Sequence, residues 1–234
     1  MNYSDLFTQI QTYTENQFPD TFVQVTTGGS QTNVNAVTQI NTFIMQAEER
    51  IYNTVQIPSL RKNVTGNCSS TSKYLACPND YLATYSLAVI NTDGTYEYLL
   101  NKDVNFIRQA YPDPTATGLP RYYALFGSRL NDLNELTFIL GPTPNSNYGA
   151  ELHYFYYPES IVTAGTSWLG DNYPPALLYG SLVEAYTYMK GEADMLAAYN
   201  TKYQEAMQQL NRLGTGLERG DAYRDGQAKI KVNP

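Results

Sequence analysis

The chain has 234 residues, with 15 basic and 22 acidic side chains and a formal charge of -7. That length suffices to bury a core without help from metals or disulfides, and the acidic balance excludes a protein that grips nucleic acid by neutralising phosphates. Charged residues make up only 16% of the chain, and 22 tyrosines supply amphipathic surface instead, a composition suited to packing against other proteins. The opening MNYSDLFTQIQ lacks the basic patch and apolar run of a leader, and no window approaches the ~20 apolar residues of a membrane span. A soluble protein made in a cytoplasm is expected.

Tyr3, Leu6, Phe7, Ile10 and Tyr13 recur at helical spacing and predict a short amphipathic helix, with Ser4 or Asp5 bonding the free amides of its first turn. Phe18-Pro19-Asp20 ends it, because proline pushes its predecessor out of the helical region. Phe22, Val23 and Val25 then suggest an extended link closed by Gly28-Gly29. A stronger helix is predicted over about 33–54, lined by Val37, Ile40, Ile44, Ala47, Ile51 and Val55 and stopped by Pro58. On it Glu48 and Glu49 lie beside Arg50. Adjacent side chains diverge by about 100 degrees, so the trio reads as a solvated face and not as an acid/base pair.

From residue 60 to about 161 the pattern changes to short alternating runs broken by turn residues, which predicts β structure. SLAVI and TYEYLL flank Asn91-Thr92-Asp93-Gly94, a hairpin in which Asp-Gly supplies positive φ angles. KDVNFIRQ predicts a helical turn, and Pro112, Pro114, Gly118 and Pro120 force an irregular loop after it. NELTFILGP and YGAELHYFYYP are expected to pair as neighbouring antiparallel strands of a small sandwich or open barrel. In the second of these, Leu152, Tyr154 and Tyr156 face one way and His153, Phe155 and Tyr157 the other. Both faces should then be covered, with His153 structural.

Reaction chemistry is poorly represented. Cys68, Cys77 and one distant His153 do not make a zinc site, and both thiols are expected to stay free. The glycines at 214, 216 and 220 follow a helix instead of opening one, as a phosphate loop would. A single histidine excludes most triads. No catalytic, cofactor-binding or metal-ligating residue is assigned, and no enzymatic activity is expected.

Near the C-terminus, Asp171 or Asn172 is positioned to cap a helix that accepts Pro174 and Pro175 in its first turn. Leu178, Leu182, Ala185, Tyr186 and Met189 form its stripe, and Gly191 ends it through a left-handed backbone. Leu196, Tyr199, Tyr203, Ala206, Leu210 and Leu213 make the seam of a second helix. That seam needs a helical neighbour, supplied by antiparallel packing on the preceding helix and by the two N-terminal helices. After Gly214 the chain is mixed in charge and poor in core formers, which alone reads as a disordered terminus. Leu217, Tyr223, Ile230 and Val232 are nonetheless spaced for docking, and KIKV suits addition as an edge strand to a partner.

WLGDNYPPALLYGSLVEAYTYMKGEADMLAAYNTKYQEAMQQLNRLG, RGDAYRDGQAKI, YLACPNDYL, SLAVIN, DVNFIRQAYPDP, GLPRYYALFG and GPTPNSNYGAELHYFYYPES together resemble the adaptor proteins of tailed phages, the head-to-tail connectors beneath the portal. The resemblance spans roughly residues 74–231. It implies a non-enzymatic virion protein of the neck, a dodecameric ring of helical bundles around a channel, with the β domain outside or below. The genome passes through the lumen without sequence-specific contact, and the partners are the portal and the next neck or tail protein. The implied fold class is α+β: residues 1–58 begin a helical bundle, 59–167 form an inserted antiparallel β-sandwich or open barrel, 168–213 complete the bundle, and 214–234 form an extended portal-docking tail. By the same resemblance Leu217, Arg219, Ala222, Tyr223, Arg224, Gly226, Ile230 and Val232 contribute to portal binding. Two alternatives stay open: another neck or tail completion protein, and a carbohydrate- or receptor-binding tail module using the tyrosine-rich β region.

Overall fold

The computed structural model describes residues 1–18, 21–24, 31–34, 36–70, 72–113, 115–128 and 136–222, with backbone alone for 21–24, 31–34, 128 and 217–222. Helix α1 (Tyr3–Thr14) leads to a hairpin of β1 (Thr21–Gln24) and β2 (Gln31–Val34), then to α2 (Ala36–Thr54) and a 3-10 turn at Pro58–Leu60. Strands β3 (Arg61–Cys68), β4 (Tyr74–Ala76), β5 (Tyr81–Ile90), β6 (Tyr96–Tyr98) and β7 (Leu100–Asn101) follow, then α3 (Val104–Ala110) and β8 (Thr117–Gly118). After β9 (Tyr122–Ser128), β10 (Leu136–Gly141), β11 (Thr143–Pro144) and β12 (Tyr148–Tyr156) the chain is helical: α4 (Ile161–Ala164), α5 (Trp168–Asn172), α6 (Pro174–Met189) and α7 (Ala193–Ala222). The fold is α+β, and among the described residues no sheet closes into a barrel. The chain divides into two compact units, Met1–Pro58 with Pro158–Pro234, and Ser59–Tyr157.

In the first unit α6 is the central element, packing on α7, α2 and α1. It buries Ala176, Leu177, Leu178, Gly180, Ser181, Leu182 and Ala185, as an apolar helix surrounded by neighbours must. Its start is specified by Pro174 and Pro175, whose missing N–H groups need no partner there. Asp171 and Asn172, expected as its cap, belong to α5, and Tyr173 precedes α6 with no side-chain cap bond. At its far end the left-handed residue is Lys190 (φ 53°), not Gly191. Gly191 is needed for space instead, since a Cβ there would lie 2.6 Å from Tyr186 Cδ1.

The cap of α1 is Asn2, two positions before Ser4 and three before Asp5, the residues expected. Its Oδ1 accepts from the Asp5 amide at 2.9 Å, while Asp5 accepts from the Asn2 amide at 3.2 Å, closing a capping box. Helix α2 begins at Ala36 and not near 33, because residues 31–34 pair antiparallel with 21–24 and the ladder claims their backbone groups. Val37 is 47% exposed and leaves the predicted stripe, which Phe43 and Tyr52 complete. Glu48 overturns the solvated-face reading: it is buried, and its Oε1 accepts from the Ile161 amide at 2.9 Å, an N-terminal amide of α4.

The second unit contains two four-stranded sheets, in the orders β4-β10-β9-β7 and β3-β12-β5-β6, with β8 and β11 as a short parallel pair. The expected pairing of β10 with β12 does not occur, since the two strands lie in different sheets. Both turn apolar side chains into one cluster: Phe138 and Leu140 from β10, Ala150, Leu152 and Tyr154 from β12. They therefore meet through side chains and not through a ladder. The β5–β6 hairpin forms as predicted in position, with Ile90 opposite Tyr96, although only Gly94 takes a positive φ (83°). Helix α3 is capped by Asp103, which accepts from the Asn105 amide at 2.7 Å. Its Ile107 joins Ala124 and Ile139 in a second, smaller cluster. Cys68 and Cys77 are buried in the larger cluster and are not joined in a disulfide.

Candidate partner-binding surfaces

Two features stand out as places where another chain could be held: the C-terminal part of α7 and the outer edge of β3. Helix α7 has 30 residues, a rod of about 45 Å at 1.5 Å per residue. Tyr203, Ala206, Met207 and Leu210 are buried along it, so the seam read from sequence is met in its middle, while Leu213 is 40% exposed. Arg50 of α2 pairs with Glu184 of α6 and lies 5.9 Å from the Tyr203 ring, and Tyr173 donates to Gln209 at 2.7 Å. At Gly214 a Cβ would lie 3.3 Å from the Gln56 carbonyl oxygen.

This last contact explains a correction. Gly214 was expected to end the helix and open an extended tail, but α7 continues through Gly214 and Gly216 to Ala222. A glycine costs a helix interior only about 1 kcal/mol, and at 214 the missing side chain permits close approach to backbone. Leu217, Arg219 and Ala222 accordingly stand on helical backbone. Tyr223, Arg224, Gly226, Ile230 and Val232 lie outside the described residues.

The second surface was not singled out in the sequence. Among the described residues, strand β3 is the outermost strand of its sheet and pairs with β12 alone, from Arg61 opposite Phe155 to Cys68 opposite Tyr148. Side chains 62–67 are all exposed. Its first two residues are tethered. The Arg61 guanidinium lies 3.9 Å over the Tyr85 ring and 4.6 Å from Phe155, and Lys62 donates to Asp80 at 2.7 Å. Burial disfavours the charged form of Asp80, but hydrogen bonds from Lys62 and Tyr154 outweigh it and hold the carboxyl below its ordinary range. Beside β3 lies a cavity of about 270 Å³, with Val64, Gly66, Leu75, Cys77, Phe138 and Leu152 among its walls. The only early signal was the alternation of small and polar residues in RKNVTGNC.

The tyrosines proposed as a sugar platform are dispersed. Tyr154 is buried in the core, and Tyr156 carries the Lys62 ammonium 4.0 Å from its ring. Tyr96 and Tyr98 remain as an exposed stacked pair, centroids 6.4 Å apart. His153 packs against Tyr85 at 5.1 Å. Among the described residues no group of three metal-ligating side chains converges, and no helix is long and apolar enough to cross a membrane.

Comparison with known proteins gives a family model described as SU10 adaptor protein, which matches residues 1–228. No curated protein matches the chain.

Proposed function

The chain belongs to the SU10 adaptor protein family, a phage head–tail adaptor family, and from that premise we propose that it forms the ring joining the portal to the tail, with the genome passing through its lumen. The family makes it a structural phage adaptor and a virion component that interacts with other proteins of the neck. The observation that carries the finer reading is the extent of the match, which takes in both compact units and most of the C-terminal segment. A ring of twelve copies matches the symmetry expected of a portal. The acidic balance of the chain suits a channel for DNA, because like charge weakens adhesion to phosphate.

In this reading α7 and the residues after it reach the portal. The helix runs on past Gly214, close to the Gln56 carbonyl, to Ala222, so that Leu217, Arg219 and Ala222 precede Tyr223, Arg224, Gly226, Ile230 and Val232 in the chain. Ordering such a segment costs chain entropy, which a long contact offsets. The test is electron microscopy of the full chain mixed with purified portal, alongside a variant ending at residue 222. The full chain should decorate the portal as a ring, and the shortened variant should bind at least about tenfold more weakly. Absence of a ring with the full chain overturns the reading; undiminished binding by the variant overturns the role of residues 223–234.

A further inference from the structure

A free sheet edge is a template for another strand, and proteins that do not use one protect it with charges, proline, a bulge or a cover. Among the described residues, strand β3 has none of these along its middle. The segment 63–67 reads Asn-Val-Thr-Gly-Asn, without charge or proline, and its ladder with β12 runs eight residues without a register shift. Among the described residues, no backbone hydrogen bond beyond that ladder involves residues 62–68. The two cations at its start are engaged by Asp80 and by the Tyr85 and Phe155 rings, so they do not guard the rest.

The facing sheet is also short at this side. Its outermost strand there, β4, has three residues against eight in β3. Val64 pairs with core residue Leu152 yet is 40% exposed, and the apolar cavity opens beside it. That volume of about 270 Å³ far exceeds the ~30 Å³ share of one water molecule. The edge therefore calls for an extended backbone. The cavity calls for aliphatic side chains two residues apart, the spacing at which a strand presents one face.

We propose that β3 is an acceptor edge that takes residues 227–232 of a second copy of this chain as an added strand, with Ile230 and Val232 entering the cavity. Lys229-Ile230-Lys231-Val232 is the match: aliphatic residues at alternate positions and lysines between them. The lysines then project to the opposite sheet face, where Glu151 lies in register with Thr65 of β3. Four residues, 223–226, separate the end of α7 from the proposed strand, a reach of up to about 14 Å when extended. Donation from one copy to the next is a heterologous contact, the kind that closes a ring, and the choice of a second copy rests on the ring reading above. The seat belongs to the protein before it meets a portal, where it covers an edge prone to aggregation.

Cys77 lines the cavity and supplies the test on the full chain without portal. Val232→Cys or Ile230→Cys, oxidised with glutathione disulfide, should give covalent dimers and higher species on a non-reducing gel. Cys77→Ser should abolish them, and Lys229→Cys should yield them at least about tenfold less, because its side chain faces away. A synthetic peptide of residues 224–234 should compete. Val64→Lys, with unchanged circular dichroism, should weaken cross-linking by a similar factor without touching either thiol. Monomer bands only, equal cross-linking by Lys229→Cys, or a disulfide within one chain would each overturn the proposal. None of these outcomes bears on portal binding, which is measured separately with the variant ending at residue 222.

Discussion

At Gly180 three helices of the first unit come together: an added Cβ would lie 3.1 Å from the Ala47 Cβ of α2 and 3.2 Å from Tyr203 Cε2 of α7. The residue is there for interhelical distance, not for backbone freedom. Gly180→Val should cost about 1–3 kcal/mol through overpacking, visible as a lower Tm; an unchanged Tm would place the three helices further apart than described. Glu48 behaves differently. Burial raises its pKa above the ordinary 4.5, against hydrogen bonds from Ser160 and the Ile161 amide that favour the charged form. Because the folded pKa is the higher one, its contribution is complete below about pH 4.5 and is lost as pH rises through the folded value. Glu48→Gln keeps an acceptor for Ile161 and never ionises. Its Tm relative to the natural chain should therefore climb between about pH 4 and pH 8, and a flat difference would contradict the assignment. Neither residue's role was legible in sequence. The partner of Glu48 stands 113 positions away, and the Glu-Glu-Arg run has the appearance of a surface.

Among the elements, the long helices were legible because a 3.6-residue apolar period survives in the letters, as in Ile40, Ile44, Ala47 and Ile51. Their ends were less so, because they depend on partners elsewhere. The start of α2 is set by a strand pairing across residues 21–34, and the course of α7 past residue 213 by a glycine that packs on Gln56. The pair Gly214 and Gly216 separates these causes. At 216 an added Cβ meets nothing within 4 Å, so Gly216→Ala should stabilise by up to about 1 kcal/mol through helix propensity. Gly214→Leu should destabilise by about 1–3 kcal/mol, since the added side chain strikes backbone. Thermal melts followed by far-UV circular dichroism read both; equal shifts would remove the packing role of Gly214. In the β unit, local signals gave the Asn91–Gly94 turn and the helical turn at α3. The sheet to which β10 belongs was not readable, because an apolar strand matches a ladder partner and a facing layer equally well.

At the scale of the whole chain, two cores are built from separate stretches of sequence, and the candidate binding surfaces divide between them: the α7 extension in one unit, the β3 edge in the other. Residues 59–157 should consequently fold cooperatively when expressed alone, measured as a single unfolding transition with dispersed amide resonances; a fragment lacking both would show that its core depends on the helices. The site was half readable. The C-terminal segment announced itself by its alternation of basic and aliphatic residues, whereas its proposed seat on β3 depends on the short length of β4, a fact of topology. The first and last strands of the β unit also pair with one another, placing Arg61 opposite Phe155. The unit's two ends therefore emerge side by side, separated by about one interstrand spacing of 4.7–4.9 Å. A tight turn can span that gap. A gene that loses, enlarges or exchanges this cassette therefore leaves the helical chain path intact.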